Sequence, residues 1–181
     1  MVKELIILAL TVLLSGLFAP YILKQIEEHR TQEQEKREAM LSRQAKMIDA
    51  QSHFLDSLSL VLWKWRYSYM KVTYHGAVGD TARYEDAWQE YSDTVWDILS
   101  QIRYEATLSR RVISEEAYKE LVAFYDRLVD LDNELLDLTN TEDATTLALK
   151  SSNLNQRMYG EVTKDIDDLL SRMASTVQMS M

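Results

Sequence analysis

Hydrophobic positions fall into two regimes along the chain. The first is a continuous run. Leu5 to Leu23, LIILALTVLLSGLFAPYIL, contains nineteen residues and no charge. As a helix it would extend roughly 28 Å, close to the ~30 Å hydrocarbon core of a bilayer. Lys3 and Glu4 bound it on one side, Lys24 and Glu27 on the other, and Tyr21 stands where an interfacial aromatic belongs. A cleavable signal peptide would have a shorter apolar stretch and small residues three and one before the cut; Leu17 stands two before Ala19, and Pro20 follows it. The run therefore predicts a retained transmembrane anchor over residues 1–24. Thr11, Ser15 and Ala19 recur every four residues. Such a small-residue stripe lets two membrane helices approach closely, as in a homodimer.

The second regime is periodic. Residues 25–39, QIEEHRTQEQEKREA, contain one large apolar residue, Ile26, and many helix formers, which predicts a solvated helical stalk. From Met40 the apolar residues return at helical spacing. Met40, Met47, Phe54 and Val61 are seven apart, beside Leu41, Ile48, Leu55 and Leu62, with Leu58 and Trp65 completing the stripe. A band this wide is the core-facing side of a bundle helix. Tyr74 to Asp80, with Gly76 and Gly79, predicts the break, and Asp80 the cap of the next helix. That second helix carries Tyr84, Trp88, Tyr91, Val95, Ile98 and Ile102 and fades at Ser109-Arg110-Arg111.

Ser114, Glu115 and Glu116 open a third helix, lined by Tyr118, Leu121, Val122, Tyr125, Leu128, Val129, Leu135 and Leu136. Thr139 to Asp143 supplies a stop and a cap. The fourth helix shows Leu147, Leu154, Met158, Val162, Ile166, Leu169, Leu170, Met173 and Val177, and Gly160 inside it predicts a kink or a close helix contact. The expected fold is all-α: an N-terminal transmembrane helix, a stalk over 25–39, and an antiparallel up-down-up-down four-helix bundle over 40–181. Its helices are expected at about 40–73, 81–108, 115–138 and 142–178.

Composition sharpens this picture at three points. Four glycines and one proline are too few for the tight turns of a sheet protein. A formal charge of −9 disfavours nucleic acid as a partner, because binding it requires neutralising phosphates. The absence of cysteine excludes disulfides and thiolate chemistry. Within twenty residues of the anchor, Lys24, Arg30, Lys36, Arg37 and Arg43 outweigh Lys3 and the amine, which places the C-terminal domain in the cytoplasm. A short basic N-terminus that stays inside, the usual start of a single-pass anchor, argues the other way.

Catalytic patterns are missing. His29, His53 and His75 have no Glu three residues before them and no spacing for a shared metal. The four glycines cannot build a phosphate-cradling loop. Asp126, Asp130, Asn133, Glu134 and Asp137, and Asp165, Asp167 and Asp168, lack the loop glycine and terminal glutamate of a calcium hand and read as solvated faces. No enzyme, metal or cofactor is expected.

Aromatic residues carry the one candidate site. Trp63, Trp65, Tyr67, Tyr69 and Tyr74 crowd the end of one helix, Tyr84 and Trp88 the start of its neighbour, and Arg66 and Arg83 are interleaved. Trp, Tyr and Arg dominate binding hot spots. One helical stripe cannot bury both Trp63 and Trp65, so one of them is expected at the surface. These residues predict an interaction module that docks a protein partner of unspecified identity. The alternative is a ligand-binding sensory bundle signalling through a separate partner. In layout the soluble part resembles the extracytoplasmic helical bundles of bacterial chemoreceptors, although those return through the membrane into a signalling domain, which this sequence does not show.

Overall fold

In a computed structural model, the chain is described over residues 19–141 and 143–179, together with Lys3, Val12 and Gly16. Helix α1 spans Ala19–Val78, α2 Thr81–Val112, α3 Glu115–Thr139, α4 Ala144–Arg157 and α5 Thr163–Met179, with a π-helical turn at Met158–Val162 joining the last two. There is no strand among the described residues. Most of the expected membrane segment, including Thr11 and Ser15, lies outside the described residues, as does Glu142. Among those described, no helix is long and apolar enough to cross a membrane.

The chain divides into two units, residues 1–48 and 49–181. In the first, residues 20–48 are helical and exposed throughout, with short-range pairs such as Lys24–Glu28 at 3.9 Å and His29–Glu33 at 3.5 Å. Met40, Leu41, Met47 and Ile48, expected to face the core, are all exposed.

In the second unit four helical segments pack together: the end of α1, α2, α3, and the α4–α5 pair. Burial begins at Gln51 and Phe54. The Gln51 amide donates to the Val112 carbonyl at 2.8 Å, so the last turn of α2 lies beside Gln51 and the packed rows end at that level. Hydrogen bonds fix the directions. On α1, Gln51, Ser57 and Lys71 meet Val112, Glu105 and Glu90 of α2, so residue numbers rise on one helix as they fall on the other. The same reversal relates α3 to the last segment, where Glu134 meets Arg157, Arg127 meets Glu161 and Asp165, and Glu120 meets Arg172. On α1, Arg66 donates to Thr163 at 2.7 Å while Thr73 accepts from Asn155 at 2.9 Å, which makes α1 and the last segment antiparallel too.

Three helix starts are capped as their residue types require. Asp80 accepts from the Arg83 amide, Ser114 from Ala117 and Asp143 from Thr146, each satisfying one of the N-terminal amides that have no partner within the helix. Two boundaries differ from the sequence expectation. Helix α1 continues past Thr73 to Val78, and the turn is made by Gly79 alone at φ 71°, a left-handed conformation that disfavours a side chain. Helix α2 passes Ser109 and runs to Val112; Ser109 is buried, its hydroxyl donates to the Ala106 carbonyl at 2.7 Å, and its own carbonyl accepts from the Ile113 amide at 2.8 Å.

Gly76, expected in the break, instead lies inside α1 at a close helix contact. A methyl built there would stand 2.9 Å from Ser151 Cβ and 3.2 Å from Tyr84 Cδ2. Gly160, expected to mark a kink or a close contact, has nothing within 4 Å of such a methyl and lies in the π-turn. The core positions Leu154, Met158, Val162 and Ile166 follow one another at intervals of four. Each such step rotates a regular α-helix about 40° away from the core. One wider turn cancels that drift and keeps the whole row inward.

Candidate functional site

The aromatic group splits into three fates. Trp65 and Tyr69 are fully buried and belong to the core, which corrects their placement in a docking surface. They form a chain of rings with α2: Trp65–Tyr69 centroids are 5.3 Å apart, Tyr69–Tyr91 6.2 Å in an edge-to-face arrangement, and Tyr91–Trp88 6.0 Å. The Tyr69 hydroxyl donates to the Leu131 carbonyl at 3.1 Å. Tyr84 and Trp88 are half-buried and pack against the same core. Trp63, Arg66, Tyr67, Tyr74 and Arg83 remain at the surface, wholly or in part. Arg83 pairs with its own helix cap, Asp80, at 3.6 Å.

The outward side of α1 holds what is left. Leu60, Tyr67 and Tyr74 are seven apart and exposed by 70%, 68% and 53% of their surface. Half-buried Trp63 and Met70 fill the positions between them, giving spacings of three, four, three and four. This is a second apolar seam: Leu60, Tyr67 and Tyr74 face away from the Leu58–Trp65–Tyr69 row, while Trp63 and Met70 form its inner edge and also pack against the core. The guanidinium of Arg66 lies 5.1 Å from the Trp63 ring centroid and 5.6 Å from that of Tyr159, which rises from the π-turn. Its Nε donates to Thr163, so Arg66 is held in place as a cation shared by two rings.

Beside the seam an open groove of about 470 Å³ is lined by Arg66, Tyr67, Met70, Lys71, Tyr74, His75 and Tyr159. Lys71 is hydrogen-bonded to Glu90 across the α1–α2 edge, and that bond holds its ammonium above the ordinary lysine value. The Tyr74 and His75 rings stand 5.3 Å apart, edge to face.

Two buried carboxyl groups lie elsewhere in the unit, and neither was singled out in the sequence. Asp132 accepts from the Tyr91 hydroxyl at 2.5 Å, and burial pushes its pKa up against the lowering effect of that bond. Burial also pushes the Tyr69 and Tyr91 phenols well above their ordinary range. Glu105 accepts from Ser57 at 2.5 Å, and its second oxygen is buried without a hydrogen-bond partner. The two carboxyls belong to separate hydrogen-bonded pairs, and no group of three or more His, Asp or Glu that could hold a metal occurs among the described residues. Of the acidic runs, Asp126, Asp130, Asn133, Asp137, Asp167 and Asp168 are exposed, while Glu134 and Asp165 are half-buried in ion pairs with Arg157 and Arg127.

Leu60 and Met70 are legible in the sequence once the α1 row is traced on both sides of the helix. Tyr159 had no such signal, since the π-turn that displays it is invisible to a periodicity of 3.6. No family model, curated protein or solved structure matches the chain.

Proposed function

We propose that the chain is a single-pass membrane protein in which Leu5–Leu23 anchors a helical-bundle interaction module that docks a protein partner. The uncharged length of that segment supports the anchor. The observation that carries the docking reading is the exposed row Leu60, Tyr67 and Tyr74 on a helix whose other side is already saturated with core contacts. Contiguous exposed apolar surface of this kind marks interaction sites, and rigid aromatics gain contact area at low entropic cost. Trp63, Arg66 and Tyr159 extend the surface; Trp65 and Tyr69 give it a firm base.

The test is loss of a cross-linked, co-purifying partner from membranes when Tyr67 and Tyr74 are both changed to Ala. Both side chains are exposed, so the melting temperature should stay within the scatter of wild type. A partner retained by the double variant counts against the reading.

A second reading, a ligand-binding sensory bundle that signals through a separate partner, draws on the groove between Tyr67, Tyr74 and Tyr159. It predicts a melting temperature raised by a small molecule in proportion to saturation, and the same double variant would abolish the shift.

A further inference from the structure

We infer that the outward seam of α1 receives an acidic amphipathic helix, laid along Leu60, Trp63, Tyr67, Met70 and Tyr74. The inference rests on the docking reading above and specifies its partner. Spacing supplies the first argument. Alternating steps of three and four are what a facing helix reads, whereas a flat or extended partner has no use for them. Fourteen residues separate Leu60 from Tyr74, a helical length of about 21 Å, which matches a partner of roughly four turns.

Charge supplies the second. Between Asp56 and Asp80 the sequence has no carboxylate side chain, although the whole chain has 29 Asp and Glu. The cations in that interval flank the seam: Lys64 and Lys71 on one side, Arg66 on the other. Lys71 is committed to Glu90. Lys64 is exposed and Arg66 is turned over two rings, and neither has an ion-pair partner among the described residues. A basic-edged aromatic seam on a chain of charge −9 is complementary to a helix with apolar core positions and Asp or Glu beside them.

A second copy of this chain fits poorly. Whether two such seams met in parallel or antiparallel, Lys64 and Arg66, the cations without an ion-pair partner among the described residues, would face the same cations, and like charges across an interface are unfavourable. An anionic lipid surface offers negative charge but no feature that selects the three-four spacing, and it repels the remainder of a chain this acidic.

The experiment uses the full chain in nanodiscs of zwitterionic lipid and two stapled helical peptides of fifteen residues. Both peptides carry the same leucine seam; one has Glu and the other Lys at the flanking positions. Isothermal titration should show the Glu peptide binding at least tenfold more tightly than the Lys peptide. Bulk attraction to a chain of charge −9 would give the opposite order. Tyr67→Ala with Tyr74→Ala should weaken the Glu peptide at least tenfold, and Lys64→Glu should narrow or reverse the preference. Equal affinity for the two peptides, or a stronger Lys peptide, overturns the inference. So does binding of neither peptide, or a double variant that binds the Glu peptide as wild type does. Dimerisation, or adsorption to anionic vesicles, that depends on Tyr67 and Tyr74 would assign the seam to another occupant. In any of these cases the co-purification test can still succeed, which would leave docking in place with a partner of different chemistry.

Discussion

Replacing Gly76 by alanine adds one methyl group where α1 crosses α4, and the structure gives both sides of the balance. Alanine in a helix interior is favoured over glycine by about 1 kcal/mol, through reduced entropy of the unfolded chain. Against this, the new methyl would stand 2.9 Å from Ser151 Cβ, with Ser151 Oγ nearer still and Tyr84 Cδ2 at 3.2 Å. Ser151 is fully buried and Tyr84 packs on the core, so neither can swing aside cheaply. Overpacking of this kind costs about 1–3 kcal/mol. The net expectation is a loss of up to about 2 kcal/mol, or as much as roughly 8 °C in melting temperature for a domain of this size. Thermal and urea unfolding followed by circular dichroism would measure it. Gly160→Ala is the internal control, because that site is open and should tolerate or gain from the methyl. Ser151→Gly, combined with Gly76→Ala, removes the two nearest crowding atoms, leaves Tyr84 Cδ2, and should recover much of the loss as a coupling of about 1 kcal/mol. If Gly76→Ala were as stable as Gly160→Ala, or if Ser151→Gly gave no coupling, the close approach of α1 and α4 at this point would be refuted.

Two further outcomes follow from burial. Trp65→Ala removes a fully buried indole and should cost about 3–5 kcal/mol, whereas Trp63→Ala, at a half-buried surface site, should cost clearly less; denaturant midpoints that placed the two together would contradict the assignment of core and surface. Burial holds the Asp132 carboxyl above its unfolded value, so the folded state binds the extra proton and stability is greatest below the unfolded pKa. It should then fall as pH rises through the folded value. Asp132→Asn keeps an acceptor for Tyr91 and should remove this component, so that the wild-type and variant stability curves diverge as pH rises from about 4; parallel curves would count against it.

Much of this molecule was determined by local sequence. The helical content, the caps at Asp80, Ser114 and Asp143, and the inward row of α2 follow from one-dimensional periodicity and from the chemistry of unsatisfied helix ends, whereas the inward row of the last helical segment also needs the π-turn at Met158–Val162. Periodicity, however, describes one helix at a time and says nothing about where its neighbours stop. Met40, Leu41, Met47 and Ile48 continue the apolar row yet are exposed, because burial depends on the reach of other helices, and α2 finishes beside Gln51. Leu136 likewise keeps the period of α3 and is exposed, while Asp132 breaks it and is buried, since Tyr91 offers that carboxyl a hydrogen bond that a single helix cannot foresee. The two tryptophans show the same division. The sequence required that Trp63 and Trp65 part ways, and only the packing of α1 against Tyr91 and Leu131 decided that Trp65 went inward. The outer seam has the same dual origin: its spacing is written in residues 60–74, but its exposure, the π-turn that brings Tyr159 to its edge and the seating of Arg66 on Thr163 arise only when the last helical segment packs antiparallel to α1.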